Sequence, residues 1–200
     1  MPLDRFYLIV DDAGWLERLL PHGVRLAQLR VKDRPEAELR AQVRRARDLC
    51  VAAGAQLVVN DHWRLAIEEG CDFVHLGQGD LDSADLDAIS KAGLRLGVSS
   101  HDHAELDRAL AIEPAYLALG PVWPTLLKEM PWAPQGLERV AEWKRRLDDI
   151  PLVAIGGLTP DRARAALLAG ADSAAVVTDV LRHPDPEARA REWRAAVDPA

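Results

Sequence analysis

The chain has 200 residues, of which 48% are apolar, a length and composition that fit one globular domain with a substantial buried core. Its formal net charge of −7, with basic residues scattered rather than clustered, disfavours nucleic acid as a partner. No apolar run approaches the roughly 20 residues of a membrane span, and the first residues lack the features of a secretory signal, so we expect a cytoplasmic protein without a membrane partner.

Short apolar runs alternate with longer amphipathic stretches along the whole chain. Each run is rich in aliphatic and β-branched residues, which is typical of a parallel strand buried on both faces. The predicted strands cover residues 6–10, 25–29, 56–60, 72–76, 94–98, 116–120, 152–156 and 173–177.

The stretches between the strands have the periodicity of amphipathic helices. The clearest covers residues 35–54, where apolar residues recur every three or four positions, with Pro35 near the start and Gly54 near the end. Residues 136–147 and 159–170 show the same features. The sequence therefore predicts strands and helices in strict alternation.

This alternation predicts a single (β/α)8 TIM barrel spanning residues 1–200. Because such barrels typically have about 250 residues, the connecting loops must be short. An open doubly wound sheet is the main alternative fold. It usually carries a glycine fingerprint after the first strand, but here Val10 is followed by Asp11, Asp12, Ala13 and Gly14.

A barrel enzyme has its active site at the carboxyl ends of the strands. The polar residues and glycines that follow the predicted strands are Arg30, Lys32, Asn60, Asp61, Gln78, Asp80, Ser99, His101, Thr125, Lys128, Gly156, Gly157 and Thr178. Arg30, Lys32 and Lys128 suit a polyanion. Asp61 and Asp80 supply the hard oxygen ligands that Mg²⁺ prefers. The sequence thus predicts a diphosphate held by cations and bridged by Mg²⁺.

A second anion site is predicted after the last two strands. Gly156 and Gly157 allow close approach of the backbone, and Val177 and Thr178 begin a short final helix. Amide N–H groups there would form the separate phosphate cup that is common in such barrels.

Some of these residues have simpler explanations. Arg30 and Lys32 could be solvated charges before a helix, and Asp61 could cap the helix that begins near Trp63. His75 lies inside a predicted strand, where a hydrogen-bonded core or rim histidine is the favoured interpretation.

Six segments of the chain resemble, in order, the signatures of the thiamine phosphate synthase family. The resemblance spans about residues 6–181, and its most distinctive parts are QLRxK, VND, HLGQxD and GPVxPT. The matching segments are residues 6–12, 23–33, 57–81, 96–102, 117–138 and 151–177.

The resemblance implies that the chain joins an aminopyrimidine methyl diphosphate to a thiazole phosphate, releasing diphosphate. It implies diphosphate contacts from Arg30, Lys32, Asn60, Ser99 and Lys128, of which all but Asn60 are the predicted catalytic residues. Asp61 and Asp80 would hold Mg²⁺, and Gln28 would face the pyrimidine. The thiazole phosphate would be bound by Thr125, Gly157, Val177 and Thr178. A homo-oligomer is also implied.

The chain departs from the family pattern at a few positions. Leu127 replaces a second threonine of the loop before Lys128, and Thr178 stands where serine is usual. Two other functions therefore stay open. One is a thiazole tautomerase of the same superfamily, which Pro121 in place of a histidine disfavours. The other is a protein that binds a thiazole or thiamine phosphate without catalysis, which the lost hydroxyl at Leu127 favours.

Overall fold

Eight parallel strands close into a barrel in the computed structural model, which describes residues 3–125 and 132–198. Each strand pairs with the next along the chain, and the last pairs with the first. The strands are β1 (Phe6–Val10), β2 (Leu26–Leu29), β3 (Gln56–Asn60), β4 (Phe73–Leu76), β5 (Arg95–Ser100), β6 (Tyr116–Leu119), β7 (Leu152–Ile155) and β8 (Ser173–Val176). The predicted TIM barrel is confirmed, and the open-sheet alternative is wrong.

Helices follow the strands around the barrel. They are α1 (Ala13–Leu19), α2 (Glu36–Ala53), α3 (Trp63–Glu68), α4 (Gln78–Leu81), α5 (Leu86–Lys91), α6 (His103–Leu110), α7 (Gly136–Arg146), α8 (Pro160–Leu168), α9 (Thr178–Leu181) and α10 (Pro186–Val197). Lys128 and Leu127, which carry two of the sequence predictions, lie outside the described residues. Among the helices of the described part, none is long and apolar enough to cross a membrane.

Helix ends follow the capping chemistry expected from the sequence. The Thr159 hydroxyl accepts the backbone N–H of Arg162, and Pro160 takes the first position of α8, where no N–H is needed. At the C-terminal end of α2, Gly54 adopts a left-handed conformation with a φ of 63°. Both ends turn the chain sharply, so the connections between strands and helices stay short.

Strand residues alternate between two cores, and this alternation determines which side chains reach the barrel interior. In β1, Phe6 and Leu8 pack outward against the helices, while Tyr7 and Ile9 point into the barrel. The interior cluster also contains Leu26, Val58, Phe73, Tyr116, Ala118, Val153 and Ala175. Both faces of each strand are buried, which explains why the predicted strands are almost continuously apolar.

Polar side chains interrupt the interior core near the carboxyl ends of β2 to β5. Gln28, Asn60 and His75 are buried there, and Ser99 is partly buried. The strand register brings them together, since Asn60 lies beside His75, and His75 beside Gly97. The fold thus concentrates its polar interior at the end of the barrel where an active site is expected.

Candidate active site

A cavity of about 620 Å³ opens at the carboxyl ends of the strands. The predicted site residues that line it are Gln28, Arg30, Lys32, Asn60, Asp61, Asp80, Ser99, Thr125 and Val177. Gly156 is also part of the wall, whereas Gly157 and Thr178 do not line the cavity and are only the chain neighbours of the lining residues Gly156 and Val177. The barrel therefore brings residues from seven separate predicted strand ends to one cavity.

The cavity has an uncharged, buried base and a charged, more exposed rim. Tyr7, Tyr116 and Ile9 lie at the base with almost no exposed surface. At the rim, the Lys32 side chain is 53% exposed and that of Asp61 is 26% exposed. A ligand with an aromatic ring and an anionic group would therefore fit with its ring inward and its charge at the rim.

The cationic part of the rim follows β2. The backbone N–H of Arg30 donates to the Val10 carbonyl at 2.8 Å, which extends the β1–β2 ladder by one residue and fixes the start of the loop. Lys32 Nζ lies 3.9 Å from Asp61 Oδ2. Within the described residues, no carboxylate forms an ion pair with the Arg30 guanidinium, so its donors are available to an anion.

Asp61 occupies a strained and electrostatically unfavourable position. Its φ of 63° lies in the left-handed region, and its N–H donates to the His75 carbonyl at 2.9 Å. Burial, together with the nearby Asp80 carboxylate, raises the pKa of Asp61, while Lys32 opposes the shift. The alternative role of Asp61 as a helix cap is wrong, because His62 occupies the cap position of α3.

Asp80 is tied to the start of α4 through one of its oxygens. Its Oδ2 accepts the N–H of Gly77 at 3.2 Å, at the position of a capping box. The carboxylates of Asp61 and Asp80 thus line the same wall of the cavity. Burial and the repulsion between these carboxylates raise the pKa of Asp61, and two such oxygen donors are the kind of ligands that would suit a divalent cation. The described residues include no cluster of three or more acidic, histidine or cysteine ligands.

A hydrogen-bond chain crosses the base of the cavity, and the sequence prediction missed its central members. Gln28 Nε2 donates to the Tyr7 hydroxyl at 2.9 Å, and the Tyr7 and Tyr116 hydroxyls are 2.9 Å apart. The Tyr116 hydroxyl lies 2.7 Å from His75 Nδ1, and His75 Nε2 lies 2.9 Å from Ser99 Oγ. The signal that could have found the tyrosines is their position, since each points inward by strand alternation.

Burial keeps the members of this chain uncharged. It lowers the pKa of His75 to about 4, with smaller contributions from the neighbouring Arg30 and His101 side chains. Burial also raises the pKa values of Tyr7 and Tyr116 well above the ordinary value for tyrosine. The expectation that His75 is a hydrogen-bonded core or rim histidine agrees with this geometry.

His101 and Trp132 form a stacked pair at one side of the cavity. Their rings are 4.0 Å apart between centroids and inclined by 11°. One Glu105 oxygen lies 2.7 Å from both the backbone N and the Nδ1 of His101, which holds the imidazole in place. Both residues line the cavity, as does Ser99, in agreement with the expectation that His101 lines the site.

The two glycines after β7 are needed for packing against the loop after β6. A Cβ atom on Gly156 would lie 2.6 Å from Pro121 Cα, and one on Gly157 would lie 2.4 Å from the Pro124 carbonyl oxygen. Both glycines also have positive φ values, 99° and 64°. The turn therefore holds the Thr125 end of this loop close to the cavity.

The beginning of α9 is anchored from α10. Arg189 makes a two-pronged ion pair with Asp179, at 2.8 and 2.9 Å, and Trp193 Nε1 donates to the same carboxylate at 2.7 Å. These contacts fix Val177, which lines the cavity, and the neighbouring Thr178.

Comparisons with known proteins assign nearly the whole barrel to one family. A family model described as thiamine monophosphate synthase matches residues 6–180. The thiamine-phosphate synthase of Rhizobium etli is 65% identical over 199 residues, covering 100% of this chain and 98% of that protein. The one from Neisseria meningitidis is 46% identical over 194 residues, covering 97% and 95%. The solved structure of a thiamine phosphate pyrophosphorylase from Pyrococcus furiosus has a TM-score of 0.86 at 28% identity, covering 96% and 95%.

Proposed function

Because the chain belongs to the thiamine monophosphate synthase family, we propose that its cavity joins an aminopyrimidine methyl diphosphate to a thiazole phosphate. The products are thiamine phosphate and diphosphate. Family membership makes the chain an enzyme of the alkyl transferase type, active in thiamine biosynthesis. The substrates in detail, the use of Mg²⁺ and the roles of individual residues are our proposal.

The observation that carries the proposal is the separation of charge and apolar surface within one cavity. Arg30 and Lys32 stand at the rim with Asp61 and Asp80, while Tyr7 and Ile9 form part of the buried base. A flat pyrimidine ring fits the base, beside the Gln28 amide. Its diphosphate then reaches the rim, where both cations and carboxylates are available.

The difficult step is the departure of diphosphate from the methylene carbon of the pyrimidine. The C–O bond breaks, its electron pair leaves with the diphosphate, and positive charge develops on a carbon that the electron-rich ring stabilises. Arg30 and Lys32 are placed to stabilise the negative charge that grows on the leaving group. Lys128, outside the described residues, is proposed as a third cation. Asn60 and Ser99 supply neutral hydrogen-bond donors to the same group.

Mg²⁺ held by Asp61 and Asp80 would add Lewis-acid stabilisation to the leaving diphosphate. The two carboxylates fit this role because their proximity and burial oppose ionisation of Asp61 when no cation is bound. A divalent cation would remove this repulsion. Only one Asp80 oxygen, Oδ2, accepts the Gly77 N–H, and the Asp80 side chain also interacts with that of Asp61.

The second half of the reaction needs no base. The thiazole nitrogen attacks with its lone pair and forms a C–N bond, and no proton has to be removed from a neutral aromatic nitrogen. This agrees with a buried, neutral His75 whose ring nitrogens are both occupied by hydrogen bonds. Positioning of the two substrates supplies much of the remaining rate enhancement.

The thiazole phosphate is proposed to bind between the loop after β6 and the last two strand ends. Thr125 and Val177 line the cavity, and Gly157 and Thr178 follow lining residues in the chain. The packing of Gly156 and Gly157 against Pro121 and Pro124 brings these segments together. The bound thiazole would then stand above the base with its nitrogen toward the pyrimidine methylene.

A two-substrate assay tests the proposal. Purified protein with Mg²⁺, the pyrimidine diphosphate and the thiazole phosphate should form thiamine phosphate and diphosphate in equal amounts, as measured by chromatography. Conversion between thiazole tautomers without condensation would instead indicate the tautomerase function. Tight binding of thiamine phosphate without any turnover would indicate a binding protein.

A further inference from the structure

The hydrogen-bond chain at the base of the cavity has a direction, and its starting point is the Gln28 amide. Gln28 Nε2 donates to the Tyr7 hydroxyl oxygen. The Tyr7 hydroxyl then donates its proton in a hydrogen bond to the Tyr116 oxygen, 2.9 Å away. The Tyr116 hydroxyl in turn donates to His75 Nδ1, at 2.7 Å. Each hydroxyl in this arrangement accepts one hydrogen bond and donates one.

This direction determines the tautomer of His75. Since Nδ1 accepts from Tyr116, the single proton of the neutral imidazole must lie on Nε2. Nε2 then donates to Ser99 Oγ, 2.9 Å away. The hydroxyl proton of Ser99 is therefore not used by His75, and it remains available to a group in the cavity, whose wall Ser99 forms.

The opposite direction leaves a buried donor without an acceptor. If Nδ1 carried the proton, Tyr116 would donate to Tyr7, whose oxygen would accept twice and whose own proton would have no acceptor. Tyr7 is 1% exposed, so water could not replace that acceptor. Full reversal would require the Gln28 amide to turn over, and would make the Ser99 hydroxyl donate to His75 instead of the cavity.

We propose that His75 is a positioning residue, held by Gln28 through Tyr7 and Tyr116 in the tautomer that makes Ser99 a hydrogen-bond donor to the leaving diphosphate. The proposal rests on the proposed function for the identity of the anion. The hydrogen-bond chain links two parts of the site. The side-chain amide of Gln28 uses its nitrogen to start the hydrogen-bond chain, and its side-chain oxygen is available to accept from a ring amino group. One hydrogen-bond network thus connects the side chain proposed to face the pyrimidine with the side chain proposed to bind the diphosphate.

Nitrogen NMR on the full-length protein tests the tautomer directly. With saturating inorganic diphosphate, the His75 signals should show a proton on Nε2 and none on Nδ1. The signals are assigned by their loss in His75→Gln. A proton on Nδ1 would overturn the proposal, whether or not the protein makes thiamine phosphate.

A double-mutant cycle tests the connection to Ser99. Tyr116→Phe keeps the ring but breaks the chain, and it should weaken binding of inorganic diphosphate roughly tenfold, as measured by calorimetry. In the Ser99→Ala background the same change should have little further effect, because the donor that the chain directs is already absent. Equal losses in both backgrounds would show that Tyr116 acts only through general packing, and would overturn the proposal.

Two further variants keep the result interpretable. Tyr7→Phe breaks the hydrogen-bond chain one step earlier. It should give a smaller loss of diphosphate binding that also disappears in the Ser99→Ala background, and it replaces Tyr116→Phe if that variant fails to fold.

Ser173→Ala removes a buried hydroxyl that donates to the Asp4 carbonyl at 2.7 Å, away from the cavity. It should leave diphosphate binding unchanged, and a loss as large as that of Tyr116→Phe would overturn the proposal.

Discussion

The ring of Tyr116 fills the space that a side chain on Gly97 would need. A Cβ atom on Gly97 would lie 2.2 Å from Tyr116 Cζ and 2.7 Å from its hydroxyl oxygen. The two residues are paired in neighbouring strands and both point into the barrel. The glycine allows Tyr116 to lie flat against His75, with ring centroids 5.5 Å apart and an angle of 13° between the rings.

Gly97→Ala should therefore damage both stability and catalysis. The added methyl group would displace Tyr116, which is fully buried, and we expect a loss of about 1–3 kcal/mol in the free energy of unfolding. Because Tyr116 contacts His75, which contacts Ser99, kcat/KM should also fall roughly tenfold to a hundredfold. Denaturant unfolding and the product assay measure the two effects.

The matched control is Gly79→Ala. No atom lies within 4 Å of the Cβ position at Gly79, which is inside α4. Its unfolding free energy should be unchanged or slightly higher, since alanine favours a helix more than glycine does. If Gly97→Ala is as stable as this control, the close contact with Tyr116 is not what requires a glycine at position 97.

Most of the fold could be predicted from the sequence, because the barrel repeats one local pattern. The first predicted strand, residues 6–10, has the observed bounds, and the long helix predicted over 35–54 is observed as Glu36–Ala53. Short apolar runs and helix end signals are local properties, so no tertiary information is needed to find them. The order of the strands in the sheet then follows from closure of the barrel.

The rim of the site was also predictable, whereas its base was not. Arg30 and Asp61 directly follow strands, and Asp80 lies in the short helix after β4. The topology alone brings all three to one cavity. The link between Tyr7 and Tyr116 depends on residues that are 109 positions apart and meet across the barrel. Aromatic residues in a strand look like ordinary core residues, so only the register of the closed barrel reveals their hydrogen bonds.

The acidic pair should limit the stability of the protein without Mg²⁺. The raised pKa of Asp61 means that the folded protein keeps this proton to a higher pH than the unfolded chain does, with an ordinary value of 3.8. Folding stability is therefore lost as the pH rises from about 3.8 through the raised pKa of Asp61, because its ionised carboxylate is repelled by that of Asp80. Asp80→Asn should raise the thermal midpoint at pH 7 without Mg²⁺, and this gain should disappear below about pH 4.

The same variant should lose activity. Asn can still accept the Gly77 N–H, so α4 keeps its cap, but a charged oxygen of the proposed Mg²⁺ site is removed. We expect kcat/KM to fall roughly a hundredfold or more, and the stabilisation by Mg²⁺ with diphosphate to be lost. Asp87→Asn, at an exposed position of α5, serves as the control. An equal gain in stability in both variants would show that the Asp61–Asp80 repulsion is not responsible.

Buried His75 should make stability fall in acid. Its folded pKa of about 4 lies below the ordinary value of 6.5, so the unfolded chain takes up a proton first as the pH decreases. The stability contributed by the neutral form is complete above pH 6.5 and is lost between about pH 6.5 and 4, amounting to roughly 2 kcal/mol at pH 5.

Urea unfolding at pH 7, 6 and 5 measures this loss. His75→Gln is the comparison, because an amide can accept from Tyr116 and donate to Ser99 but does not titrate. The wild type should lose stability more steeply than the variant as the pH decreases from 7 to 5. Parallel curves would mean that His75 titrates normally in the folded protein.

Arg30 provides the most direct test of the claim that this cavity is the synthase active site. Arg30→Gln should lower kcat/KM for thiamine phosphate formation by roughly a hundredfold or more. Its thermal midpoint should change only slightly, because Arg30 makes no ion pair within the described residues, although its charge favours ionised Asp61. Arg34→Gln, which removes an exposed charge 3.3 Å from Glu38 after the same strand, should keep nearly full activity. Wild-type turnover in Arg30→Gln, measured beside this control, would contradict the account.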